Sequence, residues 1–270
     1  MKRIIPALVV LSQLLGITGL QRTEGAFLRQ HLQTLPWLSA DERLLNATQH
    51  SPVEIASINR MILGAYYTRL FNVEGLQEQK VLAAVPFSIG NVGVSYLQFG
   101  DAAYREQTLT TLIGMHLTED TRIGLGVHGY QLAIDDYGAT TAYGIDIGAG
   151  WEVTPDVEWE IAYANVNQAT IGRQKELLPQ QIFTALRYAP TGDVLSQFYL
   201  VHELEYAVRY GVGLAYQPLP WISGAIDFMT NPVRGSYGIQ FYWKQFHIFY
   251  VAATHPALPF THRFGIVFTL

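Results

Sequence analysis

The chain has 270 residues, of which 49% are hydrophobic, 13% aromatic and only 14% charged, with a net charge of −5. Soluble domains carry about 25% charged residues, so this composition fits either a dense core or a surface that faces lipid. No Lys/Arg run is present, which argues against a nucleic-acid face, and the absence of cysteine excludes a disulfide framework, a thiolate metal site, a catalytic cysteine and a lipoprotein anchor.

Lys2 and Arg3 precede an apolar run from Ile4 to Leu20, interrupted by Ser12 and Gln13. This is the order of a secretory signal, expected to occupy residues 1–25 with the cut between Gly19 and Ala26. No later segment has the length and apolarity of a transmembrane helix, so membrane residence requires strands. Residues 26–58 differ in character. They hold Pro36, Trp37, the acidic pair Asp41 and Glu42, and a polar stretch from Asn46 to Ser51. Short helices are expected around 26–34 and 52–59. Ser51-Pro52-Val53-Glu54 reads as a helix start, with Ser at the N-cap, Pro first and Glu third.

From about Asn59 the pattern switches to period two, the mark of strands. Tyr143, Ile145, Ile147, Ala149, Trp151 and Val153 alternate with small or acidic residues. Val157, Trp159, Ile161 and Tyr163 do the same, as do Tyr206, Val208, Tyr210, Val212, Leu214 and Tyr216. One face is large and apolar. The other is Gly, Ala or charge, where a soluble sandwich would place a Lys/Glu/Thr-rich face in water. A small polar face suits the lumen of a barrel whose apolar face meets lipid, although alternation alone also fits a soluble all-β domain with an aromatic core. Trp151, Trp159, Trp221, Trp243, Tyr163 and Tyr216 fall near strand ends, at the level of aromatic girdles.

Turn chemistry separates short from long connections. Tight turns are read at 90–91, 118–120, 154–156, 190–193, 218–220 and 244–245. Longer connections are read at 70–79, 100–105, 135–140, 165–179, 229–233 and 255–260, with a break near 202–205. The result is an all-β antiparallel transmembrane barrel of about fourteen strands over 59–270, preceded by a plug or periplasmic segment at 26–58. The strands are expected at 60–69, 80–88, 91–99, 106–117, 121–134, 141–153, 157–165, 180–189, 194–202, 205–217, 221–229, 234–243, 246–254 and 261–270. An even number returns both ends of the barrel to one side.

The last strand, Arg263-Phe264-Gly265-Ile266-Val267-Phe268-Thr269-Leu270, fits a polar-x-Gly-x-x-apolar-x-apolar pattern. It resembles the β-signal captured by the barrel-assembly machinery, with Arg263, Gly265, Phe268 and Leu270 at the key positions. Leu at the end departs from the commoner Phe. An apolar terminal edge can pair first with the machine and then with the first strand.

Gly25-Ala26-Phe27-Leu28-Arg29 is similar to the opening of mature proteins in the PorV/PorQ-like branch of the FadL superfamily. Asn46-Ala47 sits where that family carries Asn-Pro-Ala-Gly-Leu, but the Pro and Gly are missing here. Tyr66-Tyr67-Thr68-Arg69-Leu70-Phe71 resembles its first strand. Pro218-Leu219-Pro220-Trp221, Thr254-His255-Pro256-Ala257-Leu258 and Thr261-His262-Arg263-Phe264-Gly265 resemble late hairpins. The resemblance implies a fourteen-stranded bacterial outer-membrane barrel with an N-terminal plug, acting in an envelope secretion or transport system. The alternative it leaves open is a FadL-like conduit for hydrophobic small molecules. The missing Pro and Gly put the family's plug geometry in doubt, and the short chain implies small extracellular loops. Expected partners are outer-membrane lipid, the assembly machinery, and either secretion-system proteins or a hydrophobic ligand.

By alternation, the lumen face holds Arg122, His128, Asp146, Glu152, Glu158, Glu160, Arg187, Arg209, Asp227, Gln240, His247 and Arg263. These form either a polar path and docking surface or internal salt bridges that cancel charge. Phe183, Tyr199 and Phe249 are the candidate apolar path. Enzymatic activity is not expected: His116, His128, His202, His247, His255 and His262 scatter over different strands with no nucleophile motif nearby. Glu158 and Glu160 share a face about 7 Å apart, as any acidic strand would give. No His cluster suggests a metal, and no cofactor is expected.

Overall fold

A computed structural model describes residues 27, 35–37, 43–44, 51–204 and 206–270. The expected signal segment, the Asp41-Glu42 pair, Asn46-Ala47 and all but Phe27 of the expected 26–34 helix lie outside them.

The chain forms one closed antiparallel barrel of fourteen strands. These are β1 (Ile62–Arg69), β2 (Gln77–Phe87), β3 (Gly90–Gly100), β4 (Tyr104–His116), β5 (Thr121–Ile134), β6 (Gly138–Thr154), β7 (Val157–Ala164), β10 (Gln181–Thr191), β11 (Val194–Glu203), β12 (Arg209–Leu219), β13 (Ile222–Met229), β14 (Arg234–Trp243), β15 (Phe246–Ala253) and β16 (Thr261–Thr269). Two short strands, β8 (Thr170–Ile171) and β9 (Glu176–Leu177), make a separate hairpin in the β7–β10 connection. Neighbours in sequence pair in sequence order, and β16 pairs with β1 from Ile62↔Thr269 to Arg69↔His262. Closure leaves no unpaired edge for another chain to join.

The alternation is inverted relative to a soluble fold. On β12, Tyr210, Val212, Leu214 and Tyr216 are 42–55% exposed, whereas Ala215 between two of them is 1% exposed. Large apolar side chains point outward all round the wall, and such a surface is stable only against hydrocarbon. Trp159, Trp221 and Trp243 are exposed near the short-turn end, with Trp159 stacked on Trp151 at 4.9 Å. The chain enters β1 and leaves β16 at this same end. The long connections lie at the other end, which places them outside the cell and the short turns in the periplasm.

Strand bounds follow the sequence closely, with one informative departure. Alternation runs through Tyr206 and Val208, yet β12 begins at Arg209. The Tyr206 N–H donates to the Glu203 carbonyl at 2.9 Å and closes a turn, while the Asn231 side chain takes the Val208 carbonyl at 2.8 Å. The backbone therefore satisfies itself locally instead of extending the ladder.

Residues 51–58 lie inside the barrel at its periplasmic mouth, against the inner faces of β3 to β7. Pro52–Ser57 is a six-residue 3-10 helix, within the short helix expected around 52–59. Ser51 makes no capping hydrogen bond; its hydroxyl instead reaches a carboxylate oxygen of Glu160 at 3.4 Å. The Asn91 amide holds the far end of the helix, reaching the carbonyls of Ile55 (2.8 Å), Ala56 (3.1 Å) and Ile58 (2.8 Å). The glycines of the wall explain the close approach. A Cβ at Gly124 would lie 2.4 Å from the Pro52 carbonyl group, and one at Gly114 would lie 2.5 Å from Ile55 Cγ2. Higher up, a Cβ at Gly213 would meet Pro36 at 2.8 Å, and one at Gly238 would meet Trp37 at 2.7 Å. Leu35, Trp37, Leu44, Ile55 and Ile58 join wall residues in one buried apolar cluster.

Gly124→Val should therefore dislodge this segment by about 1–3 kcal/mol of overpacking while leaving the barrel closed. Limited proteolysis should cut near residues 51–58 in the variant but not in the native chain, with the same heat-induced shift in gel mobility for both.

Candidate functional site: the lumen

Adjacent strands bring the lumen charges together at the level of the inner helix. Arg187 on β10 lies 2.5 Å from Glu160 on β7, 3.6 Å from Glu158, and 2.6 Å from Glu54 of the helix. Register explains this: Arg187 pairs with Glu158, one inward step from Glu160. Arg122 on β5 reaches Glu158 at 3.4 Å and the Ser57 hydroxyl, and Arg43 reaches Glu54 at 3.1 Å. Three guanidinium groups thus face three carboxylates. Burial by itself would raise the Glu54 pKa, but Arg187, Arg43 and Arg122 outweigh it and bring it from 4.5 down to about 2. The helix enters the wall as an anion seated among cations.

Two further clasps cross the lumen wall. Arg263 on β16 reaches Glu78 on β2 at 3.0 Å and the Thr68 hydroxyl on β1 at 2.9 Å, and its guanidinium lies 3.9 Å from the centre of the Tyr66 ring. It therefore ties the last strand to the first two across the closure. Gly265 lies beneath Phe249, which would meet a Cβ there at 2.2 Å, while Phe264 is exposed on the outer face and Leu270 is 60% exposed at the strand's end. Phe268 packs on Phe246 at 4.8 Å. The second clasp is His128, whose Nδ1 lies 2.9 Å from the Thr110 hydroxyl and whose Nε2 lies 2.9 Å from Asp146. Asp146 also accepts the Asn165 N–H at 2.8 Å, anchoring the start of the β7–β10 connection. Thr110 could not be picked out from the residues alone, because the register that puts it opposite His128 emerges only when β4 and β5 pair. The set has the order of a hydroxyl–imidazole–acid triad. All three members are nearly fully buried, however, and they join three neighbouring strands.

Near the extracellular end, Arg209 reaches Glu203 at 3.5 Å, and the Tyr199 hydroxyl donates to Asp227 at 2.8 Å. Phe183, Tyr199, Val201 and Met229 form a buried apolar cluster beside them. Phe249 belongs to the other cluster, beneath Trp37 at 5.9 Å. Gln240 is fully buried and His247 half-buried against Tyr242, but Glu152 is exposed, because it lies at the periplasmic rim beyond the packed lumen. His255 lies in the β15–β16 loop, where burial and then Arg234 lower its pKa. Among the described residues, no cluster of three or more His, Asp or Glu could hold a metal ion.

An apolar outer wall and a lumen occupied by its own N-terminal segment define the outer-membrane class of β-barrel. No protein-family model matches the chain. No curated protein matches it either. Among solved structures it resembles the CymD monoaromatic hydrocarbon channel, with a TM-score of 0.61 at 9% identity over 88% of this chain and 95% of that one. It also resembles the toluene transporter TodX of Pseudomonas putida, at 0.57 and 8% identity over 83% and 93% of the two chains. A FadL homologue of Pseudomonas aeruginosa scores 0.57 at 9% identity, over 83% of this chain and 92% of that one. What they share with this chain is the fold, a closed outer-membrane β-barrel.

Arg187→Ala should leave Glu160 buried without its counter-charge and Glu54 paired with Arg43 alone, costing about 3–5 kcal/mol. A double-mutant cycle with Glu54→Ala, read by denaturant unfolding in detergent, should show strong coupling. The folded pKa of Glu54 is depressed, so its contribution is complete above 4.5 and is lost as pH falls through about 2. Protection of residues 51–58 from protease should accordingly persist at pH 5, and acid pretreatment near pH 2 should expose them.

Proposed function

We propose that the protein is a plugged outer-membrane conduit of FadL type for small hydrophobic molecules, with the N-terminal segment as its gate. The observation that carries this reading is how the inner helix is fastened. It contributes no strand to the barrel. Ion pairs, side-chain hydrogen bonds and a glycine floor hold it, so it can leave without opening the wall. The apolar cluster of Phe183, Tyr199 and Met229 offers a path on the extracellular side, suited to an uncharged ligand. The structural neighbours described as a monoaromatic hydrocarbon channel and a toluene transporter support the same class of cargo.

A second reading follows from the closeness of the fit. An inner helix packed to backbone contact, with its charges paired against the wall, also suits a PorV/PorQ-type component of a secretion or anchoring system. Its barrel would stay shut, and its work would be done with a protein partner.

The chain's lack of cysteine gives a clean test. A Cβ at Gly150 would lie 3.5 Å from Val53 Cγ2, so Val53→Cys with Gly150→Cys places two thiols within bridging range. Toluene also crosses bare lipid, so uptake is read as the excess over protein-free liposomes: the bridged protein should show none, and reduction should restore the native excess. Equal uptake with and without the bridge would rule out the plug as gate. No excess uptake by the native chain, together with a stoichiometric protein partner in native membranes, would favour the second reading.

A further inference from the structure

The outer face of the barrel is not uniform. Around most of the wall, the outward positions on the extracellular side are aromatic, as at Tyr210, Tyr237 and Phe264. On β2 to β5 a row of amides replaces them. Gln79 pairs with Gln98, Gln98 with Gln107, and Gln107 with Gln131 in continuous register. The row shares its outward parity with Val81, Val94 and Leu109, which are 46–55% exposed. Two of its members are joined: the Gln107 amide lies 3.5 Å from Gln98 Oε1, and the Tyr96 hydroxyl donates to the same oxygen at 3.3 Å. The next row inward along the strands is Val81, Tyr96 and Leu109. The amides therefore begin where the apolar band ends.

Charge at the outward strand positions has one sign. The outward positions of β1 to β5 include two exposed cations, Arg69 at the end of β1 and Arg105 one row beyond Gln107, and no carboxylate. Glu78 and Glu106 on these strands point inward and are buried. Four exposed carboxylates, Glu74, Asp101, Asp135 and Asp136, lie in the loops above, and Asp101 is tied to its own turn through the amides of Ala103 and Tyr104. The row also climbs. Strands about 4.8 Å apart and tilted by about 40° raise a hydrogen-bonded row by about 3 Å per strand, or about 9 Å from Gln79 to Gln131. That span is thicker than a single phosphate layer and matches a layer of sugars.

We infer that the outer face of β1 to β5 is a binding track for a phosphorylated glycolipid of the outer leaflet, with the glutamines hydrogen-bonding sugar hydroxyls and acyl amides and Arg69 and Arg105 pairing with its phosphates. The track is continuous with the lipid-facing band, so the acyl chains of the same molecule lie on Val81, Val94 and Leu109. Amides donate and accept without carrying charge, which suits sugar recognition, and two separate arginines suit two separated phosphates.

The test is native mass spectrometry of the full-length protein in mild detergent with added bis-phosphorylated lipid A or phosphatidylglycerol. The native chain should retain lipid A at least ten-fold better than phosphatidylglycerol. Gln98→Leu with Gln107→Leu, and separately Arg69→Gln with Arg105→Gln, should each lose at least ten-fold in lipid A retention, a change of about 1.4 kcal/mol. Heat-dependent gel mobility reports whether each variant is folded, and the arginine variant decides the question if the leucine variant is not. Equal retention of the two lipids by the native chain would overturn the inference, as would unchanged lipid A retention in a folded variant. A lipid-independent dimer that separates in the leucine variant would also overturn it, assigning the face to a second copy of the chain.

Discussion

The structure depends on a contact that only glycine permits. Where Pro52 and Val53 cross β5, the wall residue is Gly124, and no side chain could stand there without moving the backbone of the inner segment. Gly114 on the neighbouring strand allows Ile55 the same approach. A closed fourteen-stranded wall encloses more space than its own side chains fill, and empty space in a lumen is unfavourable unless water or protein occupies it. Here the described residues of the N-terminal region occupy it: Phe27 beneath the extracellular loops, Leu35 and Trp37 against the wall, and the helix at the periplasmic mouth.

That contact sets the electrostatics. Seating Glu54 against the wall brings a carboxylate into a place already holding Glu158 and Glu160, and Arg187, Arg122 and Arg43 make it tolerable. At this site each buried charge has an opposite partner, as low-dielectric surroundings require. The same economy recurs at Arg263, which stitches the closing strand to β1 and β2 from inside while Phe264 and Ile266 face lipid from outside. Inner and outer faces thus solve different problems with alternate residues of one strand.

Much of this was legible in the residues. Period-two alternation located nearly every strand, because a wall with lipid on one side and a packed lumen on the other gives each position a single allowed face. The same parity put Arg122, Asp146, Glu160, Arg187, Arg209, Asp227 and Arg263 on the inner face, where they are buried. Three features could not be read. Glycine in the strands reads as small, but which glycines touch the inner segment depends on its path. Thr110 meets His128 only through the β4–β5 register. Ser51 resembles a cap in sequence, yet a 3-10 turn and the nearby Glu160 carboxylate draw its hydroxyl away. Alternation also overran at Tyr206, where a turn ends the ladder that the pattern continues.

Hydrogen–deuterium exchange across residues 51–58 of the native barrel is the most direct measurement of the central claim. If the glycine floor and the Glu54 ion pairs seat this segment, its amides should exchange as slowly as those of β5, and Glu54→Ala should speed them by a factor on the order of 100 or more, the equivalent of about 3 kcal/mol or more. Rapid exchange in the native chain, with the strands fully protected, would show that the segment is not held by the wall and would contradict the account.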